Sequence, residues 1–292
     1  MLNPSTFFES LESQFKKNLP FVAYAKPNTD EVYALLQQDN ELIEVKDFTE
    51  SGFVFAPFNS NDKTILFPLQ KSTKLETNRE AFNAITGFKQ KSTSINDAVE
   101  SFHIHLVKKA IEAINKNHFK KVVLSRVEVL EFEDFNVFSV FKKLLNTYKT
   151  AFVYCWYHPN IGLWLGATPE HLLKINGQQF STMALAGTQI FKGNLEVEWQ
   201  KKELEEQQFV TNFLVTSLKP IVEQLNVSKT KTIKAGRLLH LQTDITARLK
   251  NNNLKALIKS LHPTPATCGL PKEDAKAFIL KNENYNRAYY TG

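Results

Sequence analysis

The chain has 292 residues, of which 42% are hydrophobic and 23% charged, and its formal net charge at pH 7 is +6. No apolar run reaches the ~18 residues of a membrane span, and no basic-then-apolar leader opens the chain, so we expect neither a membrane span nor a secretory signal. Cys155 and Cys268 lack any CxxC spacing, which argues against a disulfide-stapled secreted domain and predicts a cytoplasmic protein. The scattered lysines accompany no RNA-binding motif, so the basic charge favours a small anionic substrate over nucleic acid.

In the N-terminal part of the chain, apolar alternation predicts short antiparallel strands with the sequences FVAYA, EVYALLQ, GFVFAPF and TILFPL. The stretch AVESFHIHLVKKAIEAINKN then predicts a helix, because apolar residues such as Phe102 and Leu106 recur at helical spacing. Asn96 or Asp97 is the expected N-cap of this helix. The following KKVVLSRVEVLEF is rich in β-branched residues and predicts a strand.

The rest of the chain mixes helical and strand patterns without strict alternation. Helices are predicted for NVFSVFKKLLNTY, for EVEWQKKELEEQQFVTNFLVTSLKPIVEQL with an interruption near Pro220, for NNNLKALIKSLH and for KEDAKAFILKNE. Strands are predicted for TAFVYCWYHP, for segments of GLWLGATPEHLLKINGQQFSTMALAGT and for GRLLHLQTDITARL. This order favours an α+β fold over a doubly wound sheet. No GxGxxG or P-loop motif is present, so a nucleotide site is not indicated.

Three short segments could carry chemistry, although each alone also fits an ordinary structural role. Lys121 in KKVVLSR is either a solvated lysine or a general base in a cleft. Glu170 in GATPEHLL is either a capping residue or a general acid on a rigid turn. Gly187 and Thr188 in MALAGT either end a strand or bring backbone and hydroxyl groups close to an anion.

Three further segments have the same two interpretations. Glu203 and Glu206 share a helix face with Val210, so they lie either at the rim of an apolar stripe or in a Mg²⁺ site. His240, inside an apolar strand, is more often a hydrogen-bonded core residue than a catalyst. The proline-rich HPTPATCGLP is either a surface turn or a rigid loop held against a ligand.

As an ordered set, KVVLSR, GATPEHLL, LAGT, KELEEQ, HLQT, HPTPA and RAYYTG resemble the chorismate-utilising enzymes. That family includes isochorismate synthase, salicylate synthase, anthranilate synthase component I and aminodeoxychorismate synthase component I. The resemblance implies an α+β fold in which two large, mostly antiparallel β-sheets pack together with helices outside. It implies that residues 1–95 are a β-rich part of the same domain and that residues 96–292 are the chorismate-binding catalytic region.

The resemblance also implies roles for individual residues. Lys121 would activate a water for attack at C2 of chorismate, and Glu170 would protonate the hydroxyl that leaves C4. Glu206 would be a Mg²⁺ ligand. The implied substrate contacts are Gly187, Thr188, His240, Thr264 and Tyr290. This chemistry is self-consistent, because an acid and a base flank the ring while a divalent cation neutralises a dianionic substrate.

Two positions favour one branch of the family. By resemblance, glutamine replaces Lys121 in the aminating branches, and a nucleophilic lysine replaces Ala186 in the aminodeoxychorismate branch. By resemblance, Lys121 together with Ala186 implies an isochorismate synthase of menaquinone or siderophore biosynthesis. It also implies a monomer that needs no glutamine amidotransferase subunit. Salicylate synthase is the alternative, since its first step is the same.

The sequence departs from the family pattern at a few points. The family's EH is Glu206-Gln207 in this chain, and its RG is Arg287-Ala288. The segment that follows RAYYTG in the family, which supplies a second Mg²⁺ glutamate, does not follow in this sequence. We therefore expect a catalytic region shortened at its C-terminus, and a catalytically impaired chorismate-binding fragment is a further alternative.

Overall fold

The structure, a computed structural model, describes residues 1–79, 97–250 and 253–292. The chain divides into two compact units, of which unit 1 comprises Met1–Lys91 and Glu131–Glu170 and unit 2 comprises Ser92–Leu130 and His171–Gly292. Both units are therefore discontinuous in sequence. The predicted boundary at residue 95 and the predicted N-cap Asn96 lie outside the described residues.

Helices and strands succeed one another along the chain without a regular alternation. In order they are α1 (Pro4–Lys16), β1 (Phe21–Ala25), β2 (Glu31–Gln37), β3 (Ile43–Glu44), β4 (Gly52–Phe55), β5 (Ile65–Pro68), a short 3-10 helix (Leu69–Lys71), β6 (Ser72–Asn78), α2 (Asp97–Asn115), β7 (Lys121–Val122), α3 (Val137–Thr147), β8 (Phe152–His158), β9 (Gly162–Thr168), β10 (Lys174–Asn176), β11 (Gln179–Ile190), α4 (Lys201–Leu218), β12 (Val222–Val227), β13 (Lys231–Ala235), β14 (Leu238–Leu249), α5 (Leu254–Leu261), β15 (Gly269–Leu270) and α6 (Lys272–Asn282).

Unit 1 is built on a five-stranded antiparallel sheet in the order β6-β2-β1-β8-β9. Its central strand β1 pairs with β2 on one side and with β8 on the other, so that Phe21 lies opposite both Leu36 and Tyr157. A smaller sheet has the order β3-β5-β4. Helices α1 and α3 contribute Phe7, Leu11 and other apolar side chains to the core of this unit.

Helix α1 was not predicted from the sequence. It begins with a polar cap, because the Asn3 side chain accepts a hydrogen bond of 2.9 Å from the Thr6 amide, and Pro4 occupies the first turn. Phe7, Phe8 and Leu11 are buried on one face of the helix. The cap was a usable signal, since Asn-Pro-Ser-Thr combines a capping residue with a proline suited to the first turn.

Unit 2 is built on a second antiparallel sheet in the order β10-β11-β14-β12, with β13 also paired to β14. The long strands β11 and β14 pair along their whole length, with one register shift between Ala186 and Thr188. Helix α4 packs on β11, and its buried residues recur at helical spacing: Gln207, Val210, Thr211, Leu214 and Leu218. This packing brings Glu203, in the acidic first turn of α4, close to Gly187 in the C-terminal part of β11.

Two predicted elements were wrong in extent. The strand predicted for residues 120–132 forms only at β7, and Val127 and Val129 beyond it are 46% and 77% exposed. β-branched residues favour a strand only where a neighbouring strand and a buried face receive them. The long helix predicted for residues 196–225 is limited to α4, and β12 follows Pro220. Proline ends the helix, and the free edge of β14 pairs with the residues that follow.

Every strand pair that the structure describes is antiparallel, and the helices do not alternate strictly with the strands. The predicted α+β class is therefore confirmed. Within the described ranges, no helix is both long enough and apolar enough to cross a membrane.

Candidate active site

Lys121 is held by a two-stranded ladder between β7 and β15. Lys121 lies opposite Leu270 in this ladder. The pairing turns its side chain toward the proline-rich loop, where Nζ donates a hydrogen bond of 2.7 Å to the carbonyl oxygen of Pro265. The side chain is only 11% exposed, so Lys121 is not an ordinary solvated lysine.

Glu206 faces the amine of Lys121 from helix α4. Its Oε1 lies 2.9 Å from Lys121 Nζ, and the Glu206 side chain is 33% exposed. The neighbouring Gln207 is buried and donates to the hydroxyls of Thr211 and Thr243 at 2.9 and 2.6 Å. The residue that replaces the family's histidine therefore ties α4 to β14 and fixes the turn that carries Glu206.

Glu203 lies one helical turn before Glu206, beside Gly187. Gly187 adopts φ +71° at the register shift in β11, which is a β-bulge conformation that favours glycine. A Cβ atom added at Gly187 would lie 3.2 Å from the Cβ of Glu203, so strand and helix approach closely at this point. Oε2 of Glu203 is buried, and no described residue forms a hydrogen bond with it.

His240 lies opposite Thr188 in the ladder between β11 and β14. Its Nδ1 lies 3.0 Å from the carbonyl oxygen of Gly187 and 3.2 Å from the hydroxyl of Thr188. A carbonyl oxygen can only accept, so Nδ1 carries the proton and donates it. In the neutral ring, Nε2 then carries the lone pair. Gly187, Thr188 and His240 thus form one contiguous group, and Thr188 is exposed on it.

Thr264 is 8% exposed and helps to shape the loop between α5 and β15. Its carbonyl oxygen accepts hydrogen bonds from the amides of Thr267 and Cys268 at 3.1 and 2.9 Å. Its hydroxyl accepts one from the Ala266 amide at 3.3 Å. The loop is therefore an ordered turn, and it supplies the Pro265 carbonyl that contacts Lys121.

The remaining predicted site residues are Glu170 and Tyr290. Glu170 is the last residue of unit 1, half-buried after β9, and its carbonyl oxygen accepts a hydrogen bond of 3.3 Å from the Thr168 hydroxyl. Tyr290 is 50% exposed in the C-terminal turn, where its amide donates to the Arg287 carbonyl at 2.8 Å. The catalytic role of Glu170 and the substrate contact of Tyr290 stay predictions, as do the roles of the other site residues.

Two features of this region were not predicted from the sequence. One is the contact of Lys121 with a backbone carbonyl, which no side-chain motif encodes. The other is a buried ion pair between Glu283 and Arg287, whose side chains are each 2% exposed. The helical i, i+4 rule gave no signal for the second, because α6 ends at Asn282 and both residues lie beyond it.

Carboxylate oxygens are the chain's candidate ligands for a hard cation at this site. In the part of the chain that the structure describes, no group of three or more histidine, cysteine, aspartate or glutamate side chains is arranged to hold a metal. Mg²⁺ does not require such a cage, because it binds through one or two carboxylates and keeps waters or substrate oxygens as its other ligands. Glu203 and Glu206, three residues apart on α4, are the carboxylates in this region that could supply such ligands.

Comparisons with known proteins show the family to which the chain belongs. A family profile described as "Chorismate binding enzyme" matches residues 56–292. The salicylate biosynthesis isochorismate synthase of Pseudomonas aeruginosa is 30% identical over 194 residues, which are 63% of this chain and 40% of that protein. The isochorismate synthase MenF of Pasteurella multocida is 36% identical over 138 residues, which are 44% of this chain and 32% of that protein. The matches thus span less than half the length of these curated relatives.

The fold is also that of a solved structure. A protein of Bacillus anthracis named as a 2,3-dihydroxybenzoate-specific isochorismate synthase, DhbC, superposes with a TM-score of 0.77 at 22% identity. The superposition covers 96% of this chain and 83% of that one. This likeness confirms the predicted fold.

Proposed function

Since the chain belongs to the chorismate binding enzyme family, we propose that it isomerises chorismate to isochorismate. The curated relatives that match it include several named isochorismate synthases. Lys121 and Ala186 stand at the two positions where the resemblance separates this branch from the aminating ones. The observation that carries the proposal is the placement of Lys121, whose side chain is only 11% exposed and whose amine is directed to the Pro265 carbonyl and Glu206 instead of to solvent.

The proposed reaction exchanges one water for another. Lys121, once its amine has left the ion pair with Glu206 and lost its proton, accepts a proton from a water molecule as the water oxygen bonds to C2 of the ring. The ring double bonds shift, and the bond between C4 and its hydroxyl oxygen breaks. Glu170 donates a proton to that oxygen, which leaves as water. Nothing is oxidised or reduced, so the reaction needs no redox cofactor.

Mg²⁺ is the proposed cofactor, and Glu206 with Glu203 would hold it. Oε2 of Glu203 supports this assignment, because it is buried without a hydrogen-bond partner among the described residues. Such a carboxylate oxygen is unfavourable unless a cation or donor meets it. When bound, Mg²⁺ would neutralise the charge of a substrate carboxylate.

The group around Gly187 is the proposed binding surface for the substrate. Thr188 offers a hydroxyl that can donate to an anionic ligand. His240 directs its Nδ1 proton to the Gly187 carbonyl, so its Nε2 can accept a hydrogen bond from a substrate hydroxyl. Thr264 and Tyr290 are proposed as further contacts on the family pattern.

Water is the proposed nucleophile, so the reaction does not require a glutamine amidotransferase subunit to supply ammonia. We propose that the protein acts as a cytoplasmic monomer on chorismate alone. Sedimentation of the active protein at assay concentration tests the monomeric state.

Turnover of chorismate by the purified chain tests the function. We expect isochorismate as the product, with one atom of ¹⁸O at C2 when the assay is run in H₂¹⁸O. Lys121→Ala should lower kcat by about 10²–10⁴-fold, the usual contribution of a general base. Lys120→Ala is the matched control, because Lys120 is the exposed residue directly before β7, and it should retain activity.

Other assay results would assign a different function to the protein. Salicylate in place of isochorismate would assign the salicylate synthase reaction. Chorismate binding without turnover by folded protein would assign an impaired binding fragment. Isochorismate formed equally well by Lys121→Ala would contradict the proposed mechanism.

A further inference from the structure

A buried ion pair contacts the backbone two residues after Lys121 but contributes no atom to the proposed chemistry. Arg287 Nη2 and Nε donate to Glu283 Oε1 and Oε2 at 2.6 and 2.8 Å, which is a two-bond, parallel arrangement. Each side chain is 2% exposed. Glu283 is the C-cap residue of α6, so this pair sits at the end of that helix.

The pair bonds to two separate stretches of backbone. Arg287 Nη2 donates to the carbonyl oxygen of Val123 at 2.7 Å, and Nη1 donates to that of Thr267 at 3.1 Å. Glu283 Oε1 accepts from the amide and hydroxyl of Ser125 at 2.8 and 3.0 Å. One ion pair therefore joins the segment after β7 to the proline-rich loop.

The two carbonyl groups bound by Arg287 lie close in sequence to the two residues whose contact orients Lys121. Val123 lies two residues after Lys121, and Thr267 lies two residues after Pro265. Lys121 Nζ and the Pro265 carbonyl oxygen are themselves 2.7 Å apart. A shift of either backbone segment would therefore move the amine relative to the loop.

We propose that Arg287 and Glu283 are positioning residues that fix the amine of Lys121 at its place in the site. The inference rests on the proposed function, in which Lys121 is the general base. A buried ion pair is often no more stabilising than a well-packed apolar pair. Its directed bonds to both backbone segments, by contrast, are what an apolar pair cannot replace.

The test uses variants that separate positioning from folding. Arg287→Met combined with Glu283→Leu replaces both charges, so neither is left buried without a partner. Arg287→Lys keeps the charge but loses the planar two-bond geometry. Lys63→Met combined with Glu44→Leu is the control, because that pair is exposed and lies in unit 1.

Two readouts decide the matter. We expect the amide hydrogen exchange of residues 121–125 and 266–268 to rise at least tenfold in the double variant, while the amides of β11 and β14 exchange as in the wild type. We expect kcat to fall about 10–100-fold, with KM within twofold, because misplacing a catalytic group by about 1 Å acts on the chemical step. The hydrogen exchange and the kcat of Arg287→Lys should lie between those of the double variant and those of the wild type. Both values of the control should match the wild type.

Different results would contradict the proposed function and the positioning role of the ion pair. If the wild-type chain does not convert chorismate, the proposed function fails, and hydrogen exchange alone then decides whether the pair holds Lys121 in place. Unchanged exchange in the double variant overturns the positioning role. An active, folded double variant with the kcat of the wild type overturns it as well.

Discussion

The amine of Lys121 and the carboxylate of Glu206 form an ion pair of 2.9 Å. Strand β7 supplies the lysine and helix α4 the glutamate, so the pair joins two elements that are far apart in sequence. It also joins the proposed base to the proposed metal ligand. A change in either side chain therefore alters the surroundings of the other.

Energetic coupling between these two residues is the first prediction. We expect Lys121→Met, Glu206→Gln and the double variant, unfolded in urea without metal, to give a coupling energy of about 0.5–3 kcal/mol. The side chains are only 11% and 33% exposed, so solvent screens their attraction weakly.

The pair of Lys201 and Glu205 on the same helix is the control for this cycle. Their side chains are 89% and 56% exposed at 3.6 Å, and such helix pairs contribute only about 0.3–0.5 kcal/mol. Equal coupling energies for the two pairs would show that the partly buried pair has no special strength.

The second prediction concerns the metal. We expect Glu206→Gln and Glu203→Gln each to weaken Mn²⁺ binding, measured by electron paramagnetic resonance, at least tenfold. Each substitution removes a carboxylate charge from the proposed ligand set. Glu205→Gln should bind Mn²⁺ like the wild type, since Glu205 is exposed and pairs only with Lys201 among the salt bridges of the described chain. Similar losses in all three variants would indicate a general effect of helix charge instead.

The third prediction concerns the close approach at Gly187. We expect Gly187→Ala to destabilise the protein more than Gly177→Ala in urea unfolding. Both residues have positive φ, +71° and +60°, so both alanines bear a strain of about 1–2 kcal/mol. Only at Gly187 does the new Cβ meet other atoms, at 3.2 Å from Glu203 and 3.3 Å from Leu241.

The same substitution should also disturb the site, because Glu203 must move to admit the new methyl group. We therefore expect weaker Mn²⁺ binding in Gly187→Ala and normal binding in Gly177→Ala. Equal stability losses together with unchanged metal binding would show that the helix accommodates the methyl group freely.

The fourth prediction is a pH dependence of stability in unit 1. Burial lowers the pKa of His158 below its ordinary value, and the hydrogen bond with the Glu41 carbonyl opposes this only in part. Nε2 lies 3.4 Å from that carbonyl, and Nδ1 accepts from the Asn160 amide at 3.2 Å, so the neutral ring is the bound form. Since the folded pKa is depressed, the stabilisation is present above the unfolded value of about 6.5. It is lost as the pH falls through the folded pKa.

Urea unfolding at pH values between about 7 and 5, together with NMR titration of the histidine ring protons, measures this effect. We expect His158→Gln to flatten the loss of stability with falling pH, because glutamine does not titrate. His118→Gln should retain the full loss, since His118 is exposed. A ring titration of His158 at or above the ordinary histidine value would contradict the prediction.

Lys121 and Glu206 were selected as site candidates from an ordered set of short motifs. The structure brings their side chains within 2.9 Å of each other, while their catalytic and metal-binding roles stay predictions. Some of the elements around them were predicted incorrectly. The strand expected around Lys121 was too long, because β propensity is a local property, whereas a strand needs a partner. The hydrogen bond from Lys121 to the Pro265 carbonyl depends on a backbone path that residue identities do not state.

For helix α4 too, the local sequence predicted the helix but not the strand that pairs with a distant part of the chain. Its apolar spacing predicted a helix, and Pro220 correctly indicated an interruption. The residues after Pro220 became β12, because β14 offers an edge for pairing. The neighbouring strand β13 was not predicted at all, since its sequence KTIKA is largely polar and its pairing with β14 defines it.

The central position of β1 has a consequence for how the protein is made. Its partner β8 lies roughly 130 residues further along the chain, so a very large loop must close before the middle of that sheet forms. Contacts so distant in sequence slow folding. During synthesis, one edge of β1 stays unpaired until His158 has left the ribosome, and for that interval it is open to pairing with another nascent chain.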